Sequence, residues 1–594
     1  MEDRTNERLK EVFVVSGNII GSLGFTTQEN VDSMLNGDDG ISEVNDRSVY
    51  PEPFLAGKID KNRLNQFREE KHLTDYSEFE SLIILSVLDS LKETTIDLSD
   101  DDCLLILSTT KGDIDFLSGK YPPEKETYLW HTAQRAADYF GMKNMPLVVS
   151  DACISGVAAV EIAARLLRND NYRTIVVAGA DSITAFTVSG FQAFKSISPN
   201  PCKPYDAERD GLSIGEGAAS IILTNDKTLL IDRHEIRILG GAISNDANHI
   251  SGPSRTGDGL HDAIENAIKH AGILKHDIDF MNLHGTATFY NDEMESKAIR
   301  LSGLSDVPMF GLKGFWGHTL GASGIMEILV CIESLKRNRL IATKGFSQLG
   351  TPEPLNIIRE NKTGNYHIFL KTASGFGGVN AAIIISDREI SRKESDAKQP
   401  VSYRISNKCT IHNKQVTVNN KVVFENPEAE TGEVFLKAAF KNLNTAYPKF
   451  YKMDNLSKLG FTAVQYLLQS NSVSDFSDKR KTALVFVNSE SSLDTDIRHQ
   501  QTINNPEQYF PSPAIFVYTL PNIVMGEICI KEKFQGETVF FVSKRYDSDF
   551  INSYLNILFN DTETDAVIVG KINYLSDIYA ADVFLVEKTK RVVE

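Results

Sequence analysis

Short apolar runs alternate with amphipathic stretches over most of this 594-residue chain. Val12-Phe13-Val14-Val15, Leu104–Leu107, Leu147–Val149, Ile175–Ala178 and Ala219–Leu223 are bounded runs rich in β-branched residues, which predicts buried strands. A second series follows at Ile236–Leu239, Phe280–Leu283, Met309–Leu312 and Ala381–Ile385. Between them, stretches such as Gly156–Arg168 and Leu260–Ala271 place apolar residues at helical spacing. The alternation predicts an α/β fold with helices covering mostly parallel sheets.

Ser386–Gln399 reads SDREISRKESDAKQ, a polar and charged stretch expected to be a linker. The tail beyond it repeats the opening pattern. Ala483–Ser489 is similar to Cys103–Thr109, Ile515–Tyr518 to Leu147–Ser150, Ala566–Gly570 to Thr174–Gly179, and Ala580–Val586 to Ala218–Thr224. The expected organisation is a first half over 1–232, a second half over 233–390, a linker over 391–402 and a degenerate further half over 403–594. In that alignment Cys153 falls opposite Pro521, so the last part would lack whatever chemistry Cys153 supplies.

Composition narrows the function classes. The net charge of −18 argues against nucleic acid and against an anionic membrane surface as partner. Met1-Glu2-Asp3-Arg4 has no signal-peptide character, and no apolar run approaches membrane-spanning length. Six cysteines are scattered without a CxxC pair, which excludes a zinc ribbon and gives no disulfide framework. The expectation is a cytoplasmic chain with no metal and no membrane span.

The candidate chemistry begins at Pro146–Val160, where an apolar strand stops and a small-residue helix starts around Cys153. Free N–H groups and the helix dipole at such a junction favour a thiolate. A lone cysteine there is more often structural, but three further runs accompany it. Asn282-Leu283-His284-Gly285-Thr286-Ala287-Thr288 ends a strand and enters a loop rich in hydroxyls and acids, with Glu295 beyond it. Lys313-Gly314-Phe315-Trp316-Gly317-His318 leads into a second small-residue helix. Ser374-Gly375-Phe376-Gly377-Gly378 is a glycine-rich loop before a strand.

Together with Lys203-Pro204-Tyr205-Asp206, Arg209-Asp210-Gly211 and Gly215-Glu216-Gly217-Ala218, these runs resemble the β-ketoacyl synthases, the condensing enzymes of the thiolase superfamily, over residues 11–390. The resemblance implies a thiolase-like layered αβαβα fold of two pseudo-repeated halves, here followed by a C-terminal third, degenerate αβ half. It implies Cys153 as the acyl-accepting nucleophile and His284 and His318 as the donors that stabilise an enolate. Lys313 would support the His318 region and pair with Glu295 or with water. Thr286 and Thr288 would hold the pantetheine arm. The N–H groups of Cys153 and Phe376 would form an oxyanion hole, with Phe376 as a gate. One departure is Thr372-Ala373-Ser374, where the family often has Asn-Ser-Phe, which bears on the acyl pocket.

The resemblance also implies a reaction. A β-ketoacyl synthase joins a cysteine-bound acyl chain to malonyl carried on the phosphopantetheine of an acyl carrier protein, with no built-in cofactor, in fatty-acid, polyene or polyketide-type biosynthesis. Arg209, Lys203, Lys195 and Arg68 are candidates for the acidic carrier's docking patch. The tail would complete an intramolecular pseudo-dimer; the alternative is a homodimer or heterodimer through the synthase edge. The competing readings are an inactive chain-length or scaffold subunit, and a non-decarboxylative acyltransferase or thiolase.

Overall fold

The computed structural model describes residues 10–117, 123–231, 234–390, 401–470, 478–505 and 508–589; most of the expected linker lies outside the described residues. One five-stranded topology occurs three times. In the first unit, β1 (Phe13–Ile20), β2 (Cys103–Ser108), β3 (Leu147–Val149), β4 (Thr174–Asp181) and β5 (Gly217–Thr224) lie in the order 3-2-4-5-1. In the second, β6 (Arg237–Asn245), β7 (Phe280–Asn282), β8 (Met309–Phe310), β9 (Ile368–Gly375) and β10 (Val379–Ser386) lie in the order 8-7-9-10-6. In the third, β11 (Tyr403–His412) carries an added antiparallel pair, β12 (Gln415–Val418) and β13 (Lys421–Glu425). With β14 (Thr482–Asn488), β15 (Thr538–Val542), β16 (Ala566–Leu575) and β17 (Ile578–Lys588), the order 15-14-16-17-11 repeats the other two.

The sheets are mixed, not mostly parallel. The first three strands of each order run parallel, and the last two pairings are antiparallel. An apolar run does not disclose its direction, because a strand buried on both faces reads the same either way. The strand β9 includes Ser374 and Gly375, the start of the expected glycine-rich loop, and β11 to β13 fall outside the apolar runs that predict strands.

The helix after the third strand of each unit forms the central layer. These are α1 (Ser155–Arg168), α2 (Ser323–Lys336) and α3 (Ser548–Asp561). Every residue of α1 is buried, which its Ala-rich, small-residue composition permits. Its charged residues are paired: Arg165 Nε lies 2.8 Å from Glu161, and Arg165 NH1 lies 2.8 Å from Glu537. The starts of α1 and α2 approach backbone to backbone. A Cβ on Gly324 would lie 2.5 Å from Val157 N, and one on Gly156 would lie 2.9 Å from Gly321 O. That approach brings the turn carrying Cys153 against the turn carrying His318.

The third unit joins the first through matching strands. β3 and β15 pair antiparallel, with Val149 opposite Phe541 and Val148 opposite Val542. Ser150 N donates to Phe540 O at 3.1 Å, and Phe540 N donates to the Asp151 carboxylate at 3.1 Å. The edge strand of the sheet that carries Cys153 is thus covered.

The internal alignment needs one correction. Ile515–Tyr518 is not a strand: Pro513–Phe516 is a short α-helix and Val517–Thr519 a 3-10 turn. Four apolar residues cannot separate the two states, and Pro513 sits in the first turn, where its fixed φ suits a helix. The strand equivalent to β3 is β15. Val149 pairs with Ser108 and Val542 with Asn488, so counting on from either strand puts Tyr546, not Pro521, opposite Cys153. Among the described residues no single helix is long and apolar enough to cross a membrane.

Candidate active site

Cys153 sits on the 3-10 turn Ala152–Ile154 between β3 and α1. Ala152 is held at φ 49°, a left-handed conformation that costs a residue with a Cβ about 1–3 kcal/mol. Ser155 Oγ fixes the turn: it accepts from Asp151 N at 2.9 Å and donates to Ala152 O at 2.6 Å. The second unit has the same device after β8, where Leu320, two residues past His318, has φ 48°.

The Cys153 sulfur and one ring nitrogen from each of His284 and His318 all lie within 4.8 Å of one another. The imidazoles meet edge to face, centroids 5.2 Å apart. Their tautomers follow from their partners. Leu320 N donates to His318 Nδ1 at 3.2 Å, and Ser323 Oγ lies 3.0 Å from the same nitrogen. Lys313 Nζ, which can only donate, lies 3.4 Å from His284 Nδ1. Both rings therefore carry their proton on Nε2, and His318 Nε2 is buried with no protein partner. Two N–H groups, not two metal-ligating lone pairs, face the sulfur.

Burial holds both imidazoles well below the ordinary value, with Lys313 and Lys371 adding to the effect. Burial also pushes the Cys153 thiol up to about 12, although Lys313 and the backbone N–H oppose it. The expected resting thiolate is thus overturned: the turn supplies N–H groups, but apolar walls outweigh them.

The support residues are arranged differently from expectation. Lys313 pairs with Glu327 at 2.8 Å, not with Glu295, and donates to His284 O at 2.5 Å. Glu295 instead braces the His284 loop, accepting from His284 N at 2.9 Å, Gly285 N at 2.8 Å and Tyr205 OH at 2.7 Å. Sequence reasoning missed Glu327 and Lys371, although each is a lone charge in an apolar element, IMEIL and IFLKT. Thr286 and Thr288 hydroxyls lie 2.8 Å apart on the wall of the cavity. Gly375 packs so closely that a Cβ there would lie 3.0 Å from Cys153 N, so the glycine-rich loop runs against the Cys153 turn. The Phe376 ring lies 5.5 Å from Phe194 and 6.4 Å from Phe191.

Arg209 is not a surface group. It is buried, donating to Asp206 O and Gly350 O at 2.9 and 2.8 Å, so it offers no docking charge. Lys203 pairs with Glu208 at 2.9 Å, Arg68 donates to Tyr76 O at 2.7 Å, and Lys195 is exposed.

A cavity of about 270 Å³ opens at Cys153, His284 and His318. Phe191, Phe194, Leu212 and Phe376 form apolar walls, and Phe516, Thr519 and Leu520 of the third unit close one side. Asn522 Nδ2 donates to Phe376 O at 2.8 Å, tying the third unit to the glycine-rich loop. Lys111 is buried under the same wall, 2.8 Å from Asp496 and bonded to Thr519 O. The third unit's part in the cavity was legible only as a general expectation: Phe516 lies in the segment expected to be a strand, and Thr519 and Leu520 follow directly after it.

Comparison with known proteins agrees with this architecture. The models of the β-ketoacyl synthase N-terminal and C-terminal domains match residues 106–228 and 236–347. A putative polyketide β-ketoacyl synthase 1 of Streptomyces cyaneus is 32% identical over 270 residues, which span 43% of this chain and 63% of that protein. A putative mitochondrial 3-oxoacyl-[acyl-carrier-protein] synthase of Schizosaccharomyces pombe is 26% identical over 424 residues, 63% of this chain and 98% of that protein. The solved structure of the PfaC keto synthase–chain length factor shares the fold over 98% of this chain and 79% of its own, with a TM-score of 0.80 at 14% identity. The motifs around Cys153, His284 and His318, the repeated five-stranded topology and both domain matches converge to place residues 106–347 of this chain among the β-ketoacyl synthases.

Proposed function

We propose that this protein catalyses the decarboxylative condensation of a Cys153-bound acyl chain with a malonyl thioester carried on the phosphopantetheine of an acyl carrier protein. The observation that carries the reading is the pair of Nε2–H groups set against one sulfur in a largely apolar cavity. In the first step Cys153 attacks the acyl thioester. The new S–C bond replaces the carrier's, and the cysteine proton leaves on the pantetheine thiol. This transfer suits a thiol that is not ionised at rest.

In the second step the bond from malonyl C2 to its carboxylate breaks and carbon dioxide leaves. The electron pair moves onto the thioester oxygen, where the Nε2–H groups of His284 and His318 hold it; each such donor is typically worth about 3 kcal/mol of barrier. The carbanion then attacks the Cys153-bound acyl carbon. Its oxyanion is met by the N–H groups of Cys153 and Phe376, and collapse expels the Cys153 thiolate and leaves a β-ketoacyl thioester on the carrier. Thr286 and Thr288 hold the pantetheine arm, and Glu295 and Lys313 brace the two ends of the His284 loop.

Residues 1–232 and 233–390 form the two catalytic halves, and 403–594 a degenerate half with Tyr546 at the nucleophile's position. That half occupies the edge where a partner synthase would pair, makes the chain its own pseudo-dimer and closes the acyl cavity. The six unpaired cysteines suit a reducing cytosol, and Lys195, Lys203 and Arg68 are the remaining candidates for carrier docking. Incubation with radiolabelled acyl carrier thioester tests the assignment: label bound to the protein should vanish in Cys153→Ala. Labelling that survives this substitution, or malonyl decarboxylation undiminished in both His284→Ala and His318→Ala, overturns it.

A further inference from the structure

The strand β9 reads IFLKTASG, and Lys371 in its middle is fully buried. An ammonium in such a place is costly unless paired. Its Nζ lies 2.7 Å from Glu327 Oε2, donates to Thr372 O at 2.6 Å and lies 3.5 Å from the carbonyl of Leu283, the residue before His284. The other Glu327 oxygen, Oε1, lies 2.8 Å from Lys313. One carboxylate therefore stands between two ammonium groups, directly behind the histidine loop.

Among the described residues no carboxylate other than Glu327 pairs with either ammonium. Glu295, from the helix Phe289–Leu301, has its oxygens taken by His284 N, Gly285 N, Tyr205 OH and Thr372 Oγ1. From the same helix, Asp292 is pushed up to about 7 by burial and by Glu295, and it has Arg209 3.8 Å away. Asp181 on β4 is pushed up to about 6 by burial. The thiols of Cys153 and, on α2, Cys331 are both raised by burial.

We propose that Lys371 is a second electrostatic positioning residue of this site: it shares Glu327 with Lys313, so that the two lysines leave a surplus positive charge behind the imidazoles, which keeps His284 and His318 neutral Nε2–H donors in acid solution and favours negative charge on an oxygen they hold. The part concerning a held oxygen rests on the condensation reading; the part concerning the imidazoles stands without it. The role differs from that of Lys313, which touches the His284 ring. Lys371 touches neither ring and acts only through charge and through the Leu283 carbonyl.

The test is nitrogen NMR of histidine-labelled full-length protein across pH, with the two signals assigned from His284→Gln and His318→Gln. In the unsubstituted protein both imidazoles should remain neutral, with the proton on Nε2, to pH values well below the ordinary imidazole range. Lys371→Met keeps an unbranched chain in the same space and should raise the proton affinity of both rings about tenfold or more. Glu327→Gln leaves both ammonium groups uncompensated and should cause no such rise, whereas mere loosening of the site would move the rings toward ordinary values in both variants. An unchanged titration in Lys371→Met, or a matching rise in both variants, overturns the proposal. If Lys371→Met fails to fold, the unsubstituted protein still decides: protonation of either ring near the ordinary imidazole value refutes the surplus charge. Malonyl-carrier decarboxylation by the unsubstituted protein is followed separately. Its absence alongside the expected titration shifts would sink the condensation reading and leave this one standing.

Discussion

Glu537 is the residue whose loss should most directly uncouple the third unit from the nucleophile-bearing half. It precedes β15 and is buried, and both its oxygens accept from Arg165 NH1 of α1, at 2.9 and 2.8 Å. Tyr554 OH of α3 donates to it at 2.6 Å. Although burial acts to lower it, Glu537 and then Glu161 hold the Arg165 guanidinium well above its ordinary value. Glu537→Ala would leave Arg165 with Glu161 alone, and Arg165 NH2 already has no partner. Removing one member of a buried pair typically costs about 3–5 kcal/mol. Glu537→Gln keeps an acceptor for Tyr554 and should cost less, about 1.5–3 kcal/mol for the lost charge-assisted bonds. Global unfolding of a chain this size is not expected to be two-state, so the informative assay is local hydrogen exchange. In Glu537→Ala the amides of Val539–Val542 and Leu147–Val149 should exchange about 100-fold faster or more, at about 1.4 kcal/mol per tenfold. Amides in the middle of β14 should change less. Acceleration below about tenfold at both edge strands would refute the view that this ion pair holds the junction closed.

Two further outcomes follow from the geometry. Phe516→Ala and Leu520→Ala widen the wall that the third unit gives the acyl cavity, so intact-mass analysis of carrier-bound products should show longer chains; unchanged lengths in both variants would exclude that wall as a limit. Burial pushes Asp113 up to about 7, so its contribution to stability is complete below the unfolded value near 4 and is lost as pH rises through 7; Asp113→Asn, which never ionises, should stabilise the surrounding segment by about 1–3 kcal/mol at pH 8 and by nothing below pH 4, read from the hydrogen-exchange protection of nearby amides relative to the unsubstituted protein at the same pH.

What the sequence disclosed and what it hid divide along physical lines. Cys153 and His284 were legible because each follows the end of a strand, and His318 because it leads into a small-residue helix, contexts that periodicity and glycine placement mark well. The two helices that seat them were legible for the same reason, since an Ala- and Gly-rich helix start permits the backbone approach seen at Gly156 and Gly324. Pairing among charges was not legible. Lys313 has an acid at a similar separation on either side in the chain, yet it meets Glu327 of α2, and Glu295 turns to two backbone N–H groups. Charge partners are chosen by three-dimensional packing, which sequence spacing does not encode outside a single helix. The ionisation of Cys153 was misjudged for a related reason: the N–H groups of the turn are local, whereas the apolar walls that outweigh them come from distant segments, Phe516 and Leu520 among them.

The threefold use of one topology explains why a unit without the catalytic set remains attached. A five-stranded sheet of this order ends in a short third strand, and β3 exposes backbone donors and acceptors on its outer side unless something pairs with it. Asp151 and the Ala152 turn lie immediately beyond that edge, so whatever covers β3 also fixes the approach to Cys153. Here the cover is β15, and the contact extends past the strand pairing. Phe540 N donates to Asp151, and Asn522 ties the Phe376 carbonyl. The third unit thus bonds both the residue before the Cys153 turn and the glycine-rich loop packed against it, while its own corresponding turn carries Tyr546. A partner bound from solution would make the same contacts only at sufficient concentration, whereas a unit in the same chain makes them intramolecularly. On this argument the third unit is retained for the geometry it imposes on the first, and its own turn is free of the constraints that a nucleophile would place on it.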